Sequence, residues 1–174
     1  SHDLLDDFYT VFRVNMRRLG SPVHARAWIE SVLDAFNERA RVGVVYSGHH
    51  PAAAGIILIC RDTATVPWAS ALSEYARSSP NMLLYWGFLQ YACECGCSCF
   101  DFGRSTLDEG TYRFKEQWGA SPSPLYWYGQ GLSDGEGSMK NSGNLRKRIE
   151  NAWSMLPQAV VDHLGPMVRK YISL

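Results

Sequence analysis

Three β-rich runs in quick succession constrain the fold more than any other feature of the chain. They are RVGVVY (41–46), PAAAGIILIC (51–60) and ATVPWASAL (64–72). Only turns at Ser47-Gly48 and Arg61-Asp62 separate them, and connections this short join antiparallel neighbours. Pro67 lies inside the third run and cannot donate to a ladder, so that strand is either an edge or carries a bulge.

Helical patterns flank the meander. Leu5, Phe8, Tyr9, Phe12, Met16 and Leu19 recur at helical spacing, with Asp6 and Asp7 in the first turn, Arg17 and Arg18 in the last, and Gly20 beyond it. That order suits the helix dipole and a glycine stop. Trp28, Ile29, Val32, Leu33 and Phe36 mark a second helix. After the strands, PNMLLYWGFLQYACECG starts at Pro80 and stops at Gly96. It carries two apolar stripes, which predicts a helix held between the sheet and another element.

CSCFDFG reads as a buried strand, GTYRFKEQWG as a short helix pairing Phe114 with Trp118, and SPLYWYG as a last strand. Gly129 to Gly143 is a Gly/Ser/Asp loop. A helical tail follows over 144–155 and about 158–171, broken at Pro157 and Gly165-Pro166. The order ααβββαβαβ argues an α+β fold, a mixed and largely antiparallel sheet flanked by helices. The expected organisation is a domain over 1–130, a linker over 131–143 and a helical tail over 144–174.

At 174 residues, 46% hydrophobic and 20% charged, the chain can bury one substantial core. Seventeen basic and seventeen acidic residues cancel, which removes any global pull towards nucleic acid or anionic lipid. No run is apolar enough to span a bilayer. Clustered, odd-numbered cysteines without a framework spacing fit a reducing compartment, the cytoplasm by default.

Four of the five cysteines fall at alternate positions in CECGCSC. Structural zinc uses Cys-x₂₋₄-Cys turns. Here Cys93 and Cys95 lie on opposite sides of a helix, and no His stands near Cys97 and Cys99. Core packing is the expectation, and no metal site. Asp101-Phe102-Gly103 lacks the upstream Gly-rich loop, strand Lys and His-Arg-Asp that a kinase magnesium motif needs. His49 and His50 read as an exposed turn.

The candidate site starts where the cysteines end. Arg104 emerges from a strand end, and Gly110 leads into a helix carrying Tyr112, Arg113, Phe114 and Lys115. Strand ends followed by helix starts commonly present binding groups. Two cations beside several aromatics suit a polar, anionic or carbonyl-bearing ligand. Equally, Phe114 and Trp118 can be core while Arg113 and Lys115 are surface.

The segment from Pro80 to Ala120 resembles the FemAB-like aminoacyl and peptidyl transferases, a branch of the GNAT N-acyltransferase superfamily. The shared elements are Pro80-Asn81, Leu83-Leu84, Trp86, Ala92, Gly96, Phe100 to Gly103, Phe114-Lys115 and Trp118-Gly119. FYTVFRVNMRRLGSPVH, VPWASALSEYARSSPNMLLYW and WSMLPQAVVDHLGPMVRKYI are similar to the exosortase/PEP-CTERM-associated subgroup.

The resemblance implies a GNAT-type fold and transfer of an aminoacyl or acyl group to an amine in cell-envelope or exopolysaccharide metabolism. It implies no permanently bound cofactor, with aminoacyl-tRNA or acyl-CoA as donor and a polysaccharide or peptide as acceptor. It also implies an N-terminal GNAT-like domain preceding this one, and aromatic surface left exposed without it would let the chain pair as a homodimer.

By the same resemblance, Lys115 is the catalytic cation for the developing oxyanion, and backbone amides at a bulge near Pro67 assist. Asp101 is a weaker catalytic candidate, since strand-end Asp often bonds nearby amides. Arg104, Tyr112, Arg113, Phe114, Trp68, Tyr75, Asn81 and Trp86 fall to substrate binding.

Two alternatives stand. One is an acetyl-CoA-dependent acetyltransferase, disfavoured because WASALSEYARSSPN lacks the glycine turn that usually cradles a pyrophosphate. The other is a docking half without catalysis, signalled by Lys115 buried in a salt bridge and a cleft filled by Trp86 or Trp118.

Overall fold

A computed structural model of the protein describes residues 4–126 and 148–171. Helices α1 (Leu5–Arg18) and α2 (Arg26–Phe36) come first. Strands β1 (Ala40–Ser47), β2 (His50–Cys60) and β3 (Thr63–Ala71) follow, then α3 (Pro80–Glu94), β4 (Cys99–Asp101) and α4 (Gly110–Glu116). A helix over 148–155, here α5, precedes α6 (Gln158–Arg169). The sheet order is β1-β2-β3-β4, antiparallel except for the β3–β4 pair.

Helix α1 ends as its sequence dictates. Gly20 adopts a left-handed φ of 68°, and the Gly20 and Ser21 amides turn back onto the Arg17 and Met16 carbonyls. Leu5, Phe8, Val11 and Phe12 bury the inner stripe against Val42, Ala54, Ile56 and Leu58 of the sheet. On the opposite face α3 lays Leu84, Phe88 and Ala92 onto Ala53, Ile57, Ile59, Ala64 and Val66. Strand β2 therefore runs buried from Ala52 to Ile59 because alternate side chains enter two different cores.

Gly43 and Gly55 are cross-strand partners, and together they leave a hollow that receives the Phe88 ring. A Cβ on Gly55 would stand 2.9 Å from that ring. Apart from Pro80 at its start, α3 fully buries one line, Leu84, Phe88 and Ala92, drawn from both expected stripes. Leu83 and Trp86 face solvent, while Tyr85 packs on Phe102 and Phe114.

The proline in β3 marks a bulge. Register runs Trp68↔Ile56 and then Thr65↔Leu58, so Val66 and Pro67 share one opposing position. Facing parity flips across it. Ala64 and Val66 point to α3, and beyond the bulge Ala69 and Ala71 do, leaving Trp68 and Leu72 on the α1 side. Pro67 sits where the ladder needs no donor.

CSCFDFG is not a buried strand. Only Cys99–Asp101 pair, at the sheet edge, and Cys99 and Asp101 are exposed. The cysteines are not core packing either. Cys60, Cys93, Cys95 and Cys99 are exposed, and Cys97 is half-buried. The cause is local: α3 closes at Gly96 (φ 73°) through Gly96 N–H to Cys93 and Cys97 N–H to Ala92, which turns the thiols outward at the rim. Residues 121–126 form no strand, and the rest of the expected SPLYWYG strand lies outside the described residues, as does the 131–143 linker.

The tail docks on α1. Arg13 pairs with Asp162, Arg17 donates to the Leu156 carbonyl at 2.6 Å, and Val161 is fully buried. Gly20 lies so close to Glu150 that a Cβ would overlap its carbonyl. The expected break at Gly165-Pro166 does not occur. Helix α6 continues through Pro166, because side-chain-free Gly165 seats the helix against Val23 and this packing outweighs the local cost of proline.

Candidate functional site

The parallel pairing of β3 with β4 lasts three residues, Thr63↔Cys99 to Thr65↔Asp101. Directly past it comes the bulge at Val66-Pro67, β4 ends at Asp101, and the pairing of the two strands stops. No described residue pairs with the outer edge of β3 from Val66 to Ala71. A strand edge left unpaired in this way offers backbone groups that can take up an extended amide-bearing chain as an added strand.

A depression of about 1140 Å³ runs along the outer edge of β4. Asp101, Arg104, Ser105, Tyr112 and Lys115 line it, together with residues 120–125. An aromatic ladder fixes its floor: Phe102 lies parallel to Tyr85 at 5.8 Å and tilted on Phe100 at 4.7 Å, and Tyr85 meets Phe114 at 5.0 Å. Phe114 then meets Trp118 at 6.4 Å, the pairing that the sequence predicts.

Within this frame the Asp-Phe-Gly turn is self-satisfied. Gly103 takes a left-handed φ of 70°, and its N–H donates to Asp101 Oδ1 at 2.7 Å. Lys115, expected as an exposed cation, is half-buried. Its Nζ donates to the Gly103 carbonyl at 2.9 Å and the Arg104 carbonyl at 3.0 Å. Burial lowers its pKa, and the nearby Asp101 charge works in the opposite direction. An ammonium has three donors, so one N–H remains for a ligand. Ser105 Oγ and Trp118 Nε1 are buried without a hydrogen-bond partner among the described residues.

The structure thus brings Asp101, Arg104, Tyr112 and Lys115 together. Arg113 is exposed on α4, and Phe114 belongs to the aromatic floor. Tyr75 stands in the 3₁₀ turn Ser73–Ser78 and Asn81 at the start of α3, both half-buried. Trp86 is 52% exposed on the outer face of α3, so it fills no cleft, and Lys115 bonds carbonyls rather than a carboxylate.

Trp68 belongs to a cluster that the sequence did not disclose. It meets Trp28 edge-on at 5.3 Å and His24 at 5.9 Å, while His24 stacks on Trp28 at 4.2 Å. Arg169 of α6 donates to His24 Nε2 at 3.2 Å. Burial first, and then the Arg169 charge, lower the His24 pKa to about 4, so the ring is neutral at pH 7. No local pattern announces this contact, since His24 and Arg169 lie 145 residues apart. No group of three or more His, Cys, Asp or Glu among the described residues is placed to hold a metal ion. No helix among them is long and apolar enough to cross a membrane.

A mixed sheet with one short parallel pair ending beside a bulge, and helices on both faces, matches the N-acyltransferase class of fold. Residues 1–116 match the family described as "Acetyltransferase (GNAT) domain", and the chain belongs to that family. Solved structures carry the same fold. The ribosomal-protein-S18-alanine N-acetyltransferase of Escherichia coli is 15% identical with a TM-score of 0.55, over 68% of this chain and 72% of its own. An aminoglycoside acetyltransferase from an uncultured soil metagenomic sample, in complex with sisomicin, is 10% identical with a TM-score of 0.59, over 74% of this chain and 88% of its own. Glucosamine-6-phosphate N-acetyltransferase of Arabidopsis thaliana is 12% identical with a TM-score of 0.56, over 74% and 94%. Comparison with curated protein sequences finds no match.

Proposed function

We propose that this protein transfers an acyl group from a thioester donor to a primary amine, the reading set second in the sequence. The observation that supports it most is the edge of β3 left unpaired after Thr65, where pairing with β4 ends next to the bulge. An extended donor arm pairs there with the free edge of β3, which carries the thioester towards Asp101 and Lys115.

The amine nitrogen attacks the thioester carbonyl carbon, a C–N bond forms and the C–S bond breaks. The electron pair leaves on sulfur, and the amine proton passes to the departing thiolate or to solvent. Charge on the carbonyl oxygen is met by the remaining Lys115 N–H and by backbone amides at the bulge. The groove holding Arg104 and Tyr112 receives the acceptor. The donor is a substrate, and the site needs no resident cofactor.

A second reading is FemAB-like aminoacyl transfer from a charged tRNA to a polysaccharide or peptide amine in the cytoplasm, with a partner domain completing the site. The roughly 1140 Å³ open groove along β4 favours it, because it is wide enough for a bulky acceptor.

The test is release of free thiol from acetyl-CoA with a panel of aminosugars, diamines and peptide amines, run beside transfer from a charged tRNA mixture. Amine-dependent thiol release supports the thioester reading. Transfer from tRNA alone replaces it with the second.

A further inference from the structure

Acyl-CoA carries a diphosphate, and the ready-made place to hold one is a helix N-terminus fed by a glycine-rich turn whose N–H groups point outward. In this chain the corresponding place is the start of α3, and its residues do not fit that task. No glycine occurs between Gly55 and Gly87. The first helical residue is Pro80, which has no N–H. Met82 N–H donates to the Ser79 carbonyl at 2.9 Å, so among the first three residues of α3 at most the Asn81 amide is free.

The preceding turn spends part of its amides internally. Residues Ser73–Ser78 form a 3₁₀ helix that draws its amides inward: Tyr75 N–H donates to Leu72 and Ser79 N–H to Ala76, each at 3.1 Å. Ser79 holds a left-handed φ of 49°, a conformation that L residues rarely adopt. Charge within the segment does not compensate, because Glu74 and Arg77 are the only charged residues between Leu72 and Leu84 and they cancel. Arg18, which shares a small hollow with Leu72, Ser73 and Glu74, turns its guanidinium onto Asn15 Oδ1.

We infer that the donor is recognised through its pantetheine arm and thioester, and that the nucleotide end of CoA adds nothing to binding. This rests on the thioester reading above. The arm meets the unpaired edge of β3 from Val66 to Ala71, where backbone groups are available for its two amides. The same arm arrives on free CoA or on an acyl-carrier protein, and the chain does not distinguish them by the adenosine phosphates.

The experiment is calorimetric titration of the protein with CoA, with pantetheine and with adenosine 3′,5′-bisphosphate, at about 50 mM and about 500 mM NaCl. Acetylated acyl-carrier protein and acetyl-CoA are then compared as donors for the same amine panel. Dissociation constants for CoA and pantetheine within about threefold, no heat from the bisphosphate and no salt dependence are expected. CoA binding roughly a hundredfold tighter than pantetheine overturns this inference and leaves the thioester reading standing. Binding of neither CoA nor pantetheine overturns both. Transfer from acetyl-CoA but not from the carrier protein identifies free CoA as the source of the arm, and the reverse identifies the carrier.

Discussion

Replacing Lys115 with Met keeps most of the aliphatic stem and removes the ammonium that clasps the loop after β4. Two hydrogen bonds disappear, to Gly103 and Arg104, spanning twelve and eleven residues. Bonds from a charged donor are each worth about 1.5–3 kcal/mol at most, but Gly103 and Arg104 are exposed and water re-satisfies their carbonyls. The pair then contributes about 1–2 kcal/mol, and in a domain of this size that lowers Tm by about 2–8 °C. Thermal unfolding followed by circular dichroism reads the shift. The transfer rate, measured well below Tm, reads the second role: a lost oxyanion donor lowers kcat by about 10²–10³, whereas a clasp alone leaves it nearly unchanged. A Tm within about 1 °C of the parent refutes the clasp, since the geometry requires some loss.

Three further outcomes follow from the packing and the titrating groups. Gly55→Ala places a methyl 2.9 Å from the Phe88 ring and from the Trp68 carbonyl, so urea unfolding should show a loss of about 1–3 kcal/mol; an unchanged midpoint would mean that α3 is not seated in that hollow. The His24 pKa is held near 4 when folded and stands near 6.5 when unfolded, so the unfolded state binds the extra proton and stability falls as pH drops from about 6.5 to about 4. His24→Gln should flatten that part of the pH dependence, and a folded-state His24 resonance titrating above pH 6 contradicts the contact. Maleimide labelling of the native protein should reach Cys60, Cys93, Cys95 and Cys99 before Cys97. The Cys97 thiol is half-buried and its pKa is raised, by burial first and then by Cys95; fastest labelling at Cys97 contradicts the turn geometry.

The parts of the fold legible in the sequence are those set by local rules. The ends of α1 follow from Asp6, Asp7, Arg17, Arg18 and Gly20, and the short turns decide that β1, β2 and β3 are antiparallel. Pro67 alone signals an edge or a bulge, and both hold: the register shifts there, and no described residue pairs with β3 on its outer side beyond Thr65. What stayed hidden depends on tertiary placement. The exposure of Cys93 and Cys95 goes with the closure of α3 at Gly96, and that of Cys99 with β4 being three residues long at a sheet edge, neither of which alternating apolar residues can disclose. Gly43 and Gly55 read as weak strand positions until pairing shows that they share one hollow for Phe88.

The site divides in the same way. The Phe114-Lys115 pair draws attention to α4, but nothing in its spacing shows that Nζ returns to the turn after Asp101. Nor does the tail reveal that α6 ends on His24 and thereby buttresses the Trp28–Trp68 contact beside the bulge.

A donor arm lying along the free edge of β3, as proposed, would shield the backbone groups it pairs with. Amide hydrogen exchange of the protein, with and without saturating CoA, reads that shielding. Added protection is expected within Val66–Ala71, with none at Ser73–Asn81. Protection centred on Ser73–Asn81, or none on β3, would contradict it.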